Sequence, residues 1–272
     1  MIQRLFLLAV CALMLAGCGG GGGGTQTPPP AAQTHNLTNI LFIHHSVGDG
    51  LVVNGDMRAT VTAYNTAHAR SFAFWDHGYN GDGLRNAAGD STGTNYDIPN
   101  DNTDVEGYHL LWTSTDPAWV ACRNAIMQNH QIIAFKSCFP NSAIDDAATL
   151  QQYKDWYLAM RGYFDAHTDH LFIVMPPPPL HRLDTNATQA ANARAFATWL
   201  ASSAYLSGHA NVRCFNLFDQ LANPNDGSAT ANMLRQAYEG DPANPDSHPN
   251  AAANQVVGPA LANFLCQEAN GY

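Results

Sequence analysis

The sequence of 272 residues has little positive charge. Its 12 Lys and Arg residues are outnumbered by 22 Asp and Glu residues, the net charge is −10, and lysine occurs only at Lys136 and Lys154. Binding to nucleic acid or to an anionic membrane surface requires clustered cationic side chains. The sequence has no such cluster, which argues against both partners and makes the acidity a contribution to solubility.

Long hydrophobic runs are scarce as well. The apolar run from Leu5 to Leu15 follows the positive charge of Arg4 and is too short to span a bilayer stably. This pattern predicts a signal peptide over residues 1–17. The peptide ends in Leu15-Ala16-Gly17-Cys18, which is similar to a bacterial lipobox. We therefore expect Cys18 to carry lipid and to anchor the protein in a bacterial cell envelope, periplasmic or on the outer surface, as its sole membrane contact.

Residues 18–36 lack apolar side chains that could form a core. Glycines fill positions 19–24 and prolines fill positions 28–30, a composition typical of a tether. Residues 37–272 are predicted to form one domain, because 46% of the chain is hydrophobic and this length suits a single large core.

Motifs for metal binding are missing. No His-x-x-x-His or Cys-x-x-Cys spacing occurs, so we expect the histidines to be polar loop residues rather than zinc ligands, and we predict no metal or cofactor. The segment 80–104 shows no period, and its oxygen-bearing side chains could ligate calcium: Asp97, Asn100, Asp101, Asn102 and Asp104. Their spacing does not match a helix-loop-helix calcium loop, which favours a solvated surface loop.

Short apolar runs alternate with helix-like segments through the domain. Candidate strands are residues 39–43, 71–75, 131–135, 170–175 and 211–215, and candidate helices are residues 117–128, 147–166 and 187–204. Strands separated by crossovers of helical length predict a doubly wound α/β/α sandwich with a mainly parallel sheet of about five strands, as in flavodoxin-like folds. Functional loops are expected at the carboxyl ends of the strands. Four cysteines in the domain could be free thiols or form disulfides in any of three pairings: Cys122, Cys138, Cys214 and Cys266.

Residues needed for acyl transfer follow the candidate strands. Ser46 comes directly after the first strand, and a serine nucleophile there needs a histidine base. His248 precedes the last helical segment, and Asp246 could orient its imidazole. Asn141, after the third major strand, could donate its side-chain amide to an oxyanion.

Together these residues resemble the SGNH hydrolase superfamily, also called the GDSL esterase family, over roughly residues 38–268. Ser46 matches its nucleophile, although His44-His45 replaces the usual Gly-Asp. Gly83, narrowly ahead of Gly81, matches the glycine whose N–H joins the oxyanion hole with the Ser46 N–H. Asn141 matches the third-block asparagine, and the Asp246-x-His248 spacing is similar to that of alginate acetyltransferase-like members.

The resemblance implies a serine esterase acting on carboxylic esters, often acetyl groups on carbohydrate. Four aromatic residues near the candidate loops suit a sugar or could equally be core: Trp75, Tyr79, Tyr108 and Trp112. Two alternatives stay open at the level of sequence. The same triad could transfer acyl groups between polysaccharides, or the protein could be a carbohydrate-binding lipoprotein without turnover.

Overall fold

A computed structural model describes residues 36–272. The predicted signal peptide, Cys18 and the tether up to residue 35 lie outside these residues. Within residues 36–272, no helix has the length and apolar content needed to cross a membrane.

Six strands form one sheet in the order β3-β2-β1-β4-β5-β6. They are β1 Asn39–Ile43, β2 Ala73–His77, β3 Leu84–Arg85, β4 Ile132–Lys136, β5 Leu171–Met175 and β6 Val212–Cys214. Every neighbouring pair is parallel except β2 and β3. Ile43 pairs with His77 on one side and Phe135 on the other, so the carboxyl ends of β1, β2 and β4 meet at one edge of the sheet.

Nine α-helices flank the sheet in the described part of the chain. They are α1 Ser46–Val53, α2 Met57–His68, α3 Val105–Thr113, α4 Pro117–Asn129, α5 Ala147–Asp165, α6 Ala187–Leu200, α7 Ser203–Leu206, α8 Leu217–Leu221 and α9 Ala251–Gly271. Apolar residues of α3, α4, α5 and α6 pack on one face of the sheet. Those of α1, α2 and α9 pack on the other. The predicted α/β/α sandwich is confirmed.

Several boundaries differ from the prediction. The second strand covers residues 73–77 rather than 71–75, and the helix predicted to end at residue 204 ends at Leu200, with α7 following as a separate turn. The one strand beyond the five predicted strands is β3. It comes from the segment 80–104, which the sequence predicted to be an irregular loop. It pairs with β2 only at Asp76 and His77. A strand of two residues is too short to show a hydrophobic pattern in the sequence.

The oxygen-bearing side chains of the segment 80–104 are used in hydrogen bonds within the fold. Asp101 Oδ1 accepts from the Asn80 N–H at 2.6 Å, and the Asn102 amide donates to Gly78 O at 2.6 Å. Asp104 caps α3 by accepting from the Gly107 N–H. No group of three or more metal-ligating His, Cys, Asp or Glu side chains occurs among residues 36–272. The four cysteines of the domain are free thiols in the described chain.

Candidate active site

Ser46 is the first residue of α1, separated from the end of β1 by His44 and His45. His45 stands at the N-cap with extended backbone, and its side chain makes no capping bond. The N–H groups of Ser46, Val47 and Gly48 donate to no acceptor among the described residues. Free N–H groups at a helix N-terminus carry partial positive charge and favour an anion. The backbone around Ser46 can therefore hold a developing oxyanion.

A cavity of about 190 Å³ opens beside Ser46. Its lining residues are His44, His45, Ser46, Asp49, Gly78, Tyr79, Asp82 and Arg85. These residues come from the ends of β1 and β2, where a parallel α/β sheet presents residues to ligand. Arg85 Nη1 lies 3.3 Å from Asp49 Oδ1. The cavity is polar and small, which suits a compact polar group rather than a long acyl chain.

Asp246 and His248 form a dyad in the loop that precedes α9. Asp246 Oδ1 accepts from His248 Nδ1 at 2.5 Å and from the His248 backbone N–H at 3.1 Å. Burial raises the pKa of Asp246, but the hydrogen bonds from His248 outweigh this effect and leave the pKa below its ordinary value. The carboxylate thus fixes the proton on Nδ1 and leaves Nε2 as the acceptor.

Three observations connect His248 with the region around Ser46. Its ring meets the Phe139 ring edge-on at 5.0 Å, in the loop after β4. Its charge is among the causes that lower the pKa of His45. The helix that follows it, α9, packs against α1. Ser46 Oγ makes no hydrogen bond within residues 36–272, so the bond to His248 is not formed here. Such bonds often tighten only in the substrate complex.

Asn141 and Gly83 have other partners in this structure. The Asn141 amide donates to Thr103 O at 2.9 Å and to Cys138 O at 3.2 Å, and its Oδ1 accepts from the Val105 N–H. It lines a separate cavity, together with Thr103, Asp104, Cys138 and Pro140. The Gly83 N–H donates to Tyr79 O at 3.0 Å. Of the three predicted oxyanion donors, Asn141 and Gly83 therefore do not line the Ser46 cavity, and only the Ser46 N–H lies there.

A buried network of charged side chains lies next to the cavity and includes one of its lining residues, His44. Asp76, in β2, is fully buried; its Oδ2 lies 3.1 Å from His44 Nε2, and its Oδ1 accepts from Arg58. Burial raises the pKa of Asp76, but the hydrogen bond and charge of His44, followed by those of Arg58, outweigh it and lower the pKa overall. This network fixes the connection between β1 and Ser46. Asp76 could not be identified from the sequence alone, because the predicted second strand, residues 71–75, ends one residue before it.

The aromatic residues named in the sequence analysis separate into two groups. Tyr108 and Trp112 are fully buried in the core. The Tyr79 ring lines the Ser46 cavity and lies 5.6 Å from the His45 ring. Trp75 lies in a larger cavity of about 360 Å³ near the amino end of β1, which contains neither a serine nor a carboxylate. Of these four aromatic residues, Tyr79 is thus the one that lines the Ser46 cavity.

Comparison with known proteins adds little beyond this geometry. No protein-family model matches the sequence, and no curated protein matches it. Among solved structures, it is similar to a presumed acylhydrolase from Bacteroides fragilis NCTC 9343, with 11% identity, 90% of this chain and 92% of that chain covered, and a TM-score of 0.48. It is also similar to a presumed platelet activating factor from Streptococcus pneumonia, with 10% identity, 84% of each chain covered and a TM-score of 0.46.

Proposed function

We propose that this protein is a serine ester hydrolase whose nucleophile is Ser46. The observation that carries the proposal is the Asp246–His248 dyad, which leaves Nε2 free near a serine at a helix N-terminus with unpaired N–H groups. A serine, an oriented histidine and oxyanion donors are the groups that acyl transfer requires. A hydroxyl without the dyad could be a helix cap, and it is the combination of the two that indicates acyl transfer.

The reaction proceeds in two steps. His248 Nε2 takes the proton of the Ser46 hydroxyl while Oγ attacks the ester carbonyl, and the Ser46 N–H holds the oxyanion. The protonated His248, stabilised by Asp246, then gives its proton to the departing alcohol. Water activated by the same imidazole attacks the acyl-enzyme, and the carboxylic acid leaves from Ser46.

We infer that the substrate carries a short acyl group, such as acetyl, on carbohydrate. The small cavity limits the acyl group. The Tyr79 ring can stack on a sugar face, and the charged pair Asp49–Arg85 can bind hydroxyl groups. The resemblance also implies Gly83 and Asn141 as oxyanion donors, but both donate to other partners in this structure. The Ser46 N–H is therefore the oxyanion donor of the proposed reaction.

Labelling with a fluorophosphonate and hydrolysis of p-nitrophenyl acetate test the nucleophile. Ser46→Ala should abolish labelling and lower kcat/KM by about 10⁴-fold. Ser203→Ala is the matched control, since Ser203 is also the first residue of a helix but is exposed on α7. Equal labelling of wild type and Ser46→Ala would contradict the proposal and favour a binding protein without turnover.

The dyad has a matched control of its own. His248→Gln should abolish hydrolysis, whereas His209→Gln should not, although His209 Nδ1 forms a similar 2.7 Å bond to Asp165.

Acetylated polysaccharide should then be offered with water alone and with an added sugar acceptor. Release of free acetate supports the hydrolase; transfer of acetyl to the sugar would instead support the acyltransferase alternative.

We also propose that the protein is anchored to the bacterial cell envelope through lipid on Cys18. The support is the lipobox-like sequence and the glycine-rich tether in residues 18–36. Mass spectrometry of membrane-extracted protein should show an acylated N-terminal cysteine. An unmodified mature chain in the soluble fraction would contradict the anchor without affecting the esterase proposal.

A further inference from the structure

Lys136, the last residue of β4, has its amine inside the protein. The residue is fully buried, and its Nζ lies 3.2 Å from His45 Nδ1 and 3.4 Å from His45 Nε2. It forms no ion pair with any carboxylate of residues 36–272. A buried ammonium group without a carboxylate is costly. Its retention beside the nucleophile therefore calls for a reason other than stability.

Burial changes the charge behaviour of this amine. Desolvation lowers the pKa of Lys136 from its ordinary value of 10.5 to about 7, and the nearby Cys138 opposes this effect. The amine is therefore charged in mildly acidic solution and neutral in alkaline solution. Lysines shifted in this way are typical of functional sites.

The other titratable groups around Lys136 keep one charge state near neutral pH. Burial, followed by the charge of Lys136, lowers the pKa of His45 strongly, so its imidazole stays neutral. Tyr108, from α3, donates to Lys136 O at 2.9 Å, and burial raises its pKa. Burial also raises the pKa of Tyr157 from α5 and of Cys138. Among these groups, Lys136 is the one whose charge changes near neutral pH.

The contact with His45 connects Lys136 to the reaction. His45 is the N-cap residue of α1, immediately before Ser46, and it lines the cavity. Lys136 can donate to one imidazole nitrogen, which leaves the proton on the other and fixes the ring at the helix N-terminus. A positive charge next to this N-terminus stabilises negative charge on a substrate carbonyl oxygen held by the Ser46 N–H.

We propose that Lys136 is a positioning residue of the esterase site, which acts through His45 and supplies a positive charge that is lost as the solution becomes alkaline. The inference rests on the proposed function. Hydrolysis falls as Lys136 loses its proton. The pH profile therefore has an alkaline limb that belongs to Lys136.

The pH dependence of kcat and KM for p-nitrophenyl acetate tests this role. Lys136→Met should lower kcat about 10-fold below neutral pH, leave KM nearly unchanged and remove the alkaline limb. Lys136→Arg, which keeps its charge at all these pH values, should restore part of kcat without restoring the limb. Lys154→Met is the matched control, because Lys154 contacts the Trp199 ring away from the site. An alkaline limb retained in Lys136→Met would overturn the proposal.

A second measurement does not depend on activity. With only two lysines in the chain, protein labelled with ¹³C at the lysine ε-carbon gives two NMR signals, which Lys154→Met assigns. The Lys136 signal should titrate near pH 7, and titration near its ordinary value would overturn the inference even if Lys136→Met failed to fold. Full activity of Ser46→Ala would overturn the esterase proposal itself. The two failures are therefore distinguishable.

Discussion

Ser247 Oγ accepts a hydrogen bond of 2.8 Å from the His181 backbone N–H, and this bond ties the loop that carries His248 to the segment after β5. The His181 imidazole continues the connection, since its Nε2 lies 3.3 Å from Glu239 Oε2. All three side chains are fully buried. This loop is thus exposed at Asp246 and half-buried at His248, and Ser247 fixes it between them.

Ser247→Ala should therefore reduce both stability and activity. The substitution leaves a buried N–H without an acceptor, which costs about 1 to 3 kcal/mol. It also releases the loop, so kcat for p-nitrophenyl acetate should fall about 10-fold with little change in KM. Urea unfolding and steady-state kinetics measure the two effects. An activity loss without loss of stability would show that Ser247 contacts substrate instead.

Ser46 and His248 should behave as one functional unit. If they act in the same proton transfer, Ser46→Ala, His248→Ala and the double variant should have nearly equal residual rates. Independent sites would give losses that multiply in the double variant, and this result would separate the two residues. Thermal melting of each variant controls for folding, because Ser46 is only partly buried and its loss should change stability little.

The sequence predicts the sheet well because its central strands are continuous buried apolar runs. Residues 40–43 and 132–135 are such runs and form most of β1 and β4. β3 could not be predicted in the same way: it has two residues, and only backbone pairing with β2 forms it. Helix α2 had a usable signal, with Met57, Val61 and Tyr64 spaced four and three residues apart, but most of its other residues are polar or alanine.

The site was harder to predict than the fold. Ser46 follows the first strand, His248 precedes the last helix and Asp246 is close to His248 in sequence, so a local pattern is enough to propose these three residues. Lys136 gave no signal, because a lysine at the end of an apolar run looks like the start of a solvated loop. Its burial results from the packing of β4 between β1 and β5. Contacts between residues far apart in the chain decide such features.

Lys136→Met should stabilise the protein, and the gain should depend on pH. Between pH 7 and the ordinary lysine value of 10.5, the unfolded chain binds the Lys136 proton and the folded chain does not, so wild-type stability rises with pH in this window. Methionine removes the cost of the buried charge. We expect a gain on the order of 2 to 4 kcal/mol at pH 7 that shrinks towards pH 10.

Urea unfolding at several pH values measures this gain. Lys154→Met should show no such trend, because the Lys154 amine lies over the Trp199 ring rather than in the core. A destabilised Lys136→Met at pH 7 would show that the hydrogen bond to His45 contributes more than the buried charge costs.

Arg58→Met should destabilise the fold through Asp76. The Asp76 carboxylate is fully buried and depends on Arg58 and His44 for compensation, so the loss should be about 2 to 4 kcal/mol at pH 7. Because the pKa of Asp76 lies below its ordinary 3.8, its stabilising contribution is present above that value and is lost as the pH falls through the folded-state value. The free energy of unfolding of the variant should therefore fall less steeply with decreasing pH than that of wild type.

The matched control is Arg70→Met, since Arg70 is exposed after the same helix, α2. Urea unfolding at pH 7 and in acid compares the two variants. Equal stability of Arg58→Met and Arg70→Met would mean that His44 and Arg85 compensate Asp76 without Arg58.

Asn141→Ala distinguishes the two roles that Asn141 could have. An oxyanion donor predicts a folded variant whose kcat falls about 10²- to 10³-fold at unchanged KM. The hydrogen bonds to Thr103 O and Cys138 O predict instead that Asn141 holds the loop after β4 against the start of α3. Because both amide hydrogens are used in these bonds, we expect the second result: a loss of about 1 to 3 kcal/mol in unfolding free energy and a fall in kcat of less than about 10-fold. Thermal melting beside the kinetics decides between the roles, since a stable, slow variant with normal KM would assign the oxyanion to Asn141.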